Sequence, residues 1–180
     1  KHKLNMSPED VYESIGKHAL NEEYYDRIEA IQYTMNHDDG NLLNDIGKSD
    51  IILLGVSRTS KTPTSIYLAN KGFKTANIPL VNQKSIPDIL KKEPQNFCVI
   101  GLTTEAERLV DIRKNRMNSL KETKSQDYTD LEKIKKEVQD AKELFKKYSW
   151  PSIDVTRKSV EETAASIIKI HEIYISKKNG

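Results

Sequence analysis

Two patterns of apolar positions alternate along this chain. Four short segments read as strands: IILL at 51–54, FKTANIPLV at 73–81, FCVIGL at 97–102 and SIDVT at 152–156. Uninterrupted apolar runs such as IILL and FCVIGL mark strands buried on both faces. Between and around them the apolar residues recur every three or four positions, which marks amphipathic helices. In EEYYDRIEAIQYTM this spacing puts Tyr24, Ile28, Ile31 and Met35 on one face, and the helix is expected to stop at the turn signal HDDG. After IILL, Pro63 suits a first helical turn, Ile66 and Ala69 are expected to face inward, and Lys71 with Gly72 ends the helix. LEKIKKEVQDAKELF carries Leu131, Ile134, Val138, Ala141 and Leu144 on one stripe. A last helix carries Val160, Ala164, Ile167 and His171. Helix starts are signalled by Ser7-Pro8-Glu9-Asp10 and by two capping boxes, Thr104 with Glu107 and Ser159 with Glu162. The connection over residues 82–95 reads as a mobile loop. Strands alternating with helices imply an α/β fold, a parallel sheet with helices on both faces.

Composition narrows the class. The 180 residues suit one domain, or one domain with an appendage. Lys and Arg number 29 against 27 Asp and Glu, so no concentrated basic face for nucleic acid is expected. No apolar stretch approaches membrane-spanning length, and the start, KHKLNMSPED, has no signal-peptide core. The chain does not begin with Met, so upstream residues are expected. The single cysteine excludes an internal disulfide and suits a cytoplasmic protein. Cys98 lies within FCVIGL and reads as a buried, inert thiol rather than a nucleophile.

The candidate chemistry begins where IILL ends. Gly55, Val56, Ser57, Arg58, Thr59, Ser60, Lys61 and Thr62 nearly match the phosphate-binding pattern G-x-x-x-x-G-K-[ST], between a strand and a helix. In such a loop successive N–H groups and a helix N-terminus gather phosphate oxygens. Lys61 would supply a charge to the terminal phosphates, and the Thr62 hydroxyl would ligate Mg²⁺. An ordinary strand-to-helix turn is the alternative. Ser60 stands in place of the second glycine, and a serine is expected there only with negative φ. The strand FCVIGLTT ends in threonines where an acid would usually help to hold the metal. Asp38, Asp39, Asp50 and Glu105 are the candidates for that acid, against a solvated turn at HDDG. In LVDIRKNRMNSL, Leu109, Ile112, Arg116 and Leu120 form one stripe, with Arg113 beside it. An arginine there either clamps a phosphate or makes a buried ion pair.

Four blocks together carry a closer likeness: RIEAIQYTMNHDDG, SDIILLGVSRTSKTPTSIYLANKGFKTANIPLV, IGLTTEAERLVDIRKNR and IDVTRKSVEETAASI. Over residues 24–168 the chain resembles the bacterial and plastid regulatory proteins of pyruvate, phosphate dikinase and of phosphoenolpyruvate synthase. The resemblance implies a bifunctional serine/threonine kinase and phosphorylase on a P-loop kinase-like fold. Such an enzyme phosphorylates a threonine of the dikinase from ADP, leaving AMP, and so inactivates it. It reverses this with inorganic phosphate, forming pyrophosphate. The resemblance puts the nucleotide loop at residues 55–62 and admits Ser60 there. It also implies a further N-terminal domain, so 1–45 is expected to lead from that domain and 46–180 to form the catalytic domain. In these terms Lys61 holds the transferred group, Thr62 the Mg²⁺, and Arg58 the developing charge. Asp39 or Asp38 accepts the threonine proton, Arg116 or Arg113 approaches a phosphate or the threonine, and Asp154 to Thr156 line the base. The expected partners are the dikinase, ADP, AMP, phosphate and pyrophosphate, with a homodimer as the assembly. The synthase as target, a small-molecule P-loop kinase and a nucleotide-sensing module without turnover stay open as alternatives.

Overall fold

The computed structural model describes residues 22–41, 43–81, 83–120 and 126–180. The helix start expected at Ser7 lies outside the described residues. In chain order the regular elements are α1 (Glu22–Asn36), β1 (Ile51–Gly55), α2 (Lys61–Asn70), β2 (Thr75–Pro79), α3 (Asp88–Lys92), β3 (Val99–Thr103), α4 (Ala106–Leu120), α5 (Leu131–Lys147), β4 (Ser152–Asp154) and α6 (Val160–Asn179). The sheet order is β2-β1-β3-β4, with every pairing parallel. The chain therefore steps from β1 to one side and returns to the other, which makes the carboxyl ends of β1 and β3 a switch point where α/β sheets bind ligands.

Helices cover both faces because β1 divides its side chains by the strand period of two. Ile52 and Leu54 join Leu90 of α3, Leu109 of α4, and Ile134, Val138 and Phe145 of α5. Ile51 and Leu53 join Leu68 of α2 and Ala164 and Ile167 of α6. The result is the α/β, P-loop kinase-like architecture. Gly101 is required in β3 because the Phe145 ring occupies the place of a Cβ. Cys98 is buried in the second of these clusters, and burial pushes its thiol up to about 12. No helix among the described residues is long and apolar enough to cross a membrane.

Several expected details are corrected. In α1 the apolar stripe is not the packed face: Tyr24, Ile28 and Met35 are exposed, and Ala30 and Thr34 are buried. Small residues permit close approach to β2, and Thr34 Oγ1 accepts the N–H of Thr75 at 3.0 Å. In α2 Ile66 is exposed, while Ser65, Leu68 and Ala69 are buried. The connection over 82–95 is not a bare loop. It contains α3, and Ile86 and Leu90 anchor it in the core. The Ser159 and Glu162 capping box is present at α6. The box expected at Thr104 is replaced by a cap from the turn after β4: Thr156 Oγ1 accepts the N–H of Glu105 at 3.0 Å.

Candidate functional site

The loop after β1 closes tightly on itself. A Cβ on Gly55 would meet Thr59 Oγ1 at 2.6 Å and the Leu102 carbonyl of β3 at 2.7 Å, so only glycine fits between them. Thr59 Oγ1 donates to the Val56 carbonyl at 3.0 Å. Lys61 Nζ donates to the same carbonyl at 2.9 Å, so the lysine folds back under the loop. Arg58 and Ser60 both have positive φ, 73° and 59°, and Thr59 between them does not. Alternation of this kind turns successive N–H groups into one concavity suited to anions. The negative φ expected of Ser60 is thus overturned. The serine takes the left-handed conformation that glycine usually supplies, because the turn into α2 demands it.

Lys61 is only 6 % exposed. Burial lowers its ammonium to about 8; Asp39 and then Asp38 oppose that shift, while Arg58 and Arg113 add to it. A poorly solvated cation is a strong partner for a phosphate that enters the loop.

The carboxylates come from the turn after α1. Asp39 takes the left-handed conformation, φ 53° and ψ 32°, and Gly40 follows with φ 79°. Asp38 Oδ1 and Oδ2 accept from the Thr62 hydroxyl at 3.0 and 3.3 Å. Asn77 Nδ2 donates to Asp38 Oδ1 and to Thr62 Oγ1, the latter at 3.1 Å. The turn is pinned from below: the Asn77 N–H donates to the His37 carbonyl at 3.0 Å, and the buried His37 ring stacks on Tyr33 at 3.8 Å. Asn77 is not among the residues that the sequence pattern singles out. Its signal was a polar residue within a strand whose other central positions are apolar; it is 1 % exposed, and its Oδ1 has no partner among the described residues.

Asp38, Thr62 and Asn77 present the hard oxygen donors that suit Mg²⁺, with a carboxylate and a hydroxyl side by side. No group of three or more His, Cys, Asp or Glu among the described residues is arranged to hold a metal, so nucleotide oxygens and water would complete the shell. Asp50 precedes the amino end of β1 and accepts the Lys74 N–H at 2.8 Å, a full strand length from the loop. Glu105 is exposed beyond β3.

On the opposite side of the loop, the arginine brought inward is Arg113, not Arg116. The buried row of α4 is Ala106, Leu109 and Arg113, and Arg116 is exposed. Of the two readings it is the ion pair that forms: the buried Arg113 meets the partly exposed Glu137 Oε2 at 2.7 Å, and it also reaches the Ser57 carbonyl at 3.3 Å. Asp154 and Thr156, at the end of β4, hydrogen-bond to each other, which holds the Asp154 carboxyl below its usual range, while Thr156 caps α4. A cleft of about 440 Å³ opens beside the loop, between Val56, Leu80 and Val81 on one wall and Glu137, Asp140 and Leu144 on the other.

The chain that carries this phosphate-type loop, with its buried lysine, Thr–Asp pair and parallel sheet, matches the family model described as kinase/pyrophosphorylase over residues 1–168. The chain belongs to the kinase/pyrophosphorylase family. Three relatives carry the provisional name of pyruvate, phosphate dikinase regulatory protein. The chain is 72% identical over 165 residues to one from Pelagibacter ubique, covering 92% of this chain and 60% of that protein. It is 54% identical over 153 residues to one from a Wolbachia of Brugia malayi, covering 83% and 55%. It is 49% identical over 154 residues to one from Caulobacter vibrioides, covering 86% and 49%. The chain thus spans about half to three-fifths of the length of these relatives.

Proposed function

We propose that this chain is the catalytic part of a bifunctional regulator of pyruvate, phosphate dikinase, a kinase that uses ADP and a phosphorylase that uses inorganic phosphate. One observation carries the reading: Lys61, Thr62, Asp38 and Asp39 converge on a single loop built to gather phosphate oxygens. The provisional names of the relatives supply the target.

In the forward reaction the N–H groups of residues 55–62 hold the ADP diphosphate. Lys61 leaves the Val56 carbonyl for the β-phosphoryl group. The threonine oxygen attacks the β-phosphorus, an O–P bond forms, the bond between the β-phosphorus and the bridging oxygen breaks, and AMP leaves with that oxygen. Asp39 takes the threonine proton: it is exposed, and it is the first carboxylate in the field of Lys61. Asp38, already bound to Thr62, would hold Mg²⁺ with it, and the ion would neutralise charge on the phosphate oxygens. Arg58 stands at the tip of the loop as a further donor. In the reverse reaction a phosphate oxygen attacks the phosphothreonine phosphorus. Pyrophosphate forms where the ADP diphosphate lay, and the released threonine oxygen recovers its proton from Asp39.

The test is mass spectrometry of a pyruvate, phosphate dikinase incubated with the full-length protein, Mg²⁺ and either ADP or ATP. Phosphothreonine formed from ADP, with AMP released, and removed again by phosphate with pyrophosphate released, is the expected result. Transfer from ATP alone, or ADP binding with the dikinase unmodified, would reject the proposal.

A further inference from the structure

Arg113 heads the largest side chains buried completely, with 1 % exposed. A guanidinium keeps its charge in a protein, and burying it is costly unless its donors are used. Glu137 takes two of them as a fork, at 2.7 and 3.3 Å. The Tyr128 carbonyl accepts a third at 3.2 Å, and the Tyr128 ring centroid lies 4.8 Å from the guanidinium carbon. The fourth contact goes to the Ser57 carbonyl, whose residue also meets the Tyr128 hydroxyl through Ser57 Oγ at 3.1 Å; only the Nε–H has no partner among the described residues. Two arms of one cluster thus converge on the third residue of the loop.

A loop that collects anions with its N–H groups must turn its carbonyl oxygens elsewhere, because each carries partial negative charge. The two carbonyls after Gly55 are both held by cations, Val56 by Lys61 and Ser57 by Arg113. The two holders differ. Lys61 is a flexible ammonium that an arriving phosphate can draw away. Arg113 is clamped by a carboxylate fork and an aromatic ring, and it stays.

We propose that Arg113, fixed by Glu137 and Tyr128, is a positioning residue that keeps the Ser57 carbonyl turned out of the loop, so that residues 55–62 are shaped for phosphate before a nucleoside diphosphate or free phosphate arrives. This rests on the reading of the loop as the ADP site. Arg113 touches no substrate in this account; it acts by preorganisation, which strengthens binding without adding a contact. An effect on the ground state and transition state alike raises KM and leaves kcat nearly unchanged.

Calorimetric ADP binding and melting temperature of the full-length protein test this with Arg113→Met, Arg113→Lys and the double variant Arg113→Met/Glu137→Leu. Removing Glu137 together with Arg113 leaves neither charge without its partner, which tends to restore folding. The expected result is that Arg113→Met weakens ADP binding about 10- to 100-fold, the scale of a hydrogen bond to a charged group. The double variant should recover the melting temperature without recovering the affinity. Arg113→Lys, which keeps the charge and loses the fork, should fold and bind ADP roughly 3- to 10-fold more weakly. KM for ADP and for phosphate should rise together, with kcat within about threefold of the wild type. A stable double variant or Arg113→Lys variant with wild-type affinity overturns the proposal, as does a loss confined to kcat. A wild-type protein that binds no ADP rejects the reading of the loop itself, whereas wild-type binding with unchanged binding by Arg113→Lys rejects only the role of Arg113.

Discussion

The loop over residues 55–62 is held at both ends, by opposite charges. On the β2 side a carboxylate, Asp38, takes the Thr62 hydroxyl at the start of α2. On the α4 side a guanidinium, Arg113, takes the Ser57 carbonyl two residues after Gly55. The first grip is half-buried and uses the very atoms that would meet a cation. The second is part-buried too, but it rests on a guanidinium only 1 % exposed and uses a backbone oxygen that no ligand needs. The difference separates two tasks, chemistry at the mouth and shape at the base, and the two should respond differently to metal, to pH and to substitution.

The largest expected effect tests the mouth. Asp38→Asn removes the charge and keeps the shape, and threonine phosphorylation should fall about a hundredfold, the scale of a lost charged partner at a transferring phosphoryl group. Its ADP affinity without Mg²⁺ should be unchanged or stronger, since a negative charge has gone from the loop. Arg113 variants should weaken ADP binding with or without Mg²⁺. Asp38→Asn protein that transfers at the wild-type rate, or Arg113 variants whose defect disappears without Mg²⁺, would erase the contrast.

Gly55→Ala tests whether the two grips depend on one tight turn. The new methyl would lie 2.6 Å from Thr59 Oγ1 and 2.7 Å from the Leu102 carbonyl. One neighbour is backbone of the central sheet and cannot yield cheaply. The expected cost is about 1–3 kcal/mol of stability, as for other overpacked sites, together with loss of ADP binding. Denaturant unfolding with the wild-type midpoint would show that the loop has room that the distances deny.

How much of this was legible beforehand depends on where the partner of each residue lies. The strand IILL and the loop after it are local signals, and they sit where the pattern put them. Asp38 and Asp39 were visible as acids in a turn. Their approach to Thr62 was not, because it depends on β2 lying beside β1 and on Asn77 bridging the two. Arg113 lost its place to Arg116 because an apolar stripe was fitted to Ile112 and Leu120, whereas the packed row runs Ala106, Leu109, Arg113. That row holds an arginine only because Glu137 faces it from another helix, and no spacing within α4 reports that. The α1 stripe misled for a related reason: Thr34 earns burial by capping an N–H of β2, a polar service that apolar periodicity does not register.

The pH dependence follows from Lys61. Its folded value of about 8 lies below the unfolded value near 10.5. Between these two values the unfolded chain binds more protons, so stability should rise with pH across that window; below about 8 both states are protonated and the cost of the buried charge is constant. ADP binding gives the ammonium an anionic partner and raises its value. Above about pH 8 binding must then take up a proton, and affinity should fall with pH, approaching tenfold per unit. Lys61→Met should flatten both trends. A dissociation constant for ADP that is level from about pH 7 to 9.5 would show that the lysine stays charged without a phosphate, and would remove the assigned difference between the mobile cation and the fixed one.

The smallest effect concerns Ser60, which belongs to neither grip. Its φ of 59° places an ordinary side chain in a region that costs roughly 1–2 kcal/mol for residues other than glycine. Its side chain makes no cap for α2, so nothing local offsets that cost. Ser60→Gly relieves the strain but frees the unfolded chain, which offsets the gain by about 0.5–1 kcal/mol. The net change in stability should therefore lie between about 0 and 1.5 kcal/mol and be stabilising in sign. ADP affinity should stay within about threefold, because Lys61 and the N–H groups keep their positions when the grips at Thr62 and Ser57 are intact. Chemical denaturation and calorimetry on one variant measure both quantities. A large loss of affinity in a stable Ser60→Gly protein would mean that the hydroxyl itself meets the phosphate, and that the loop is held at three places rather than two.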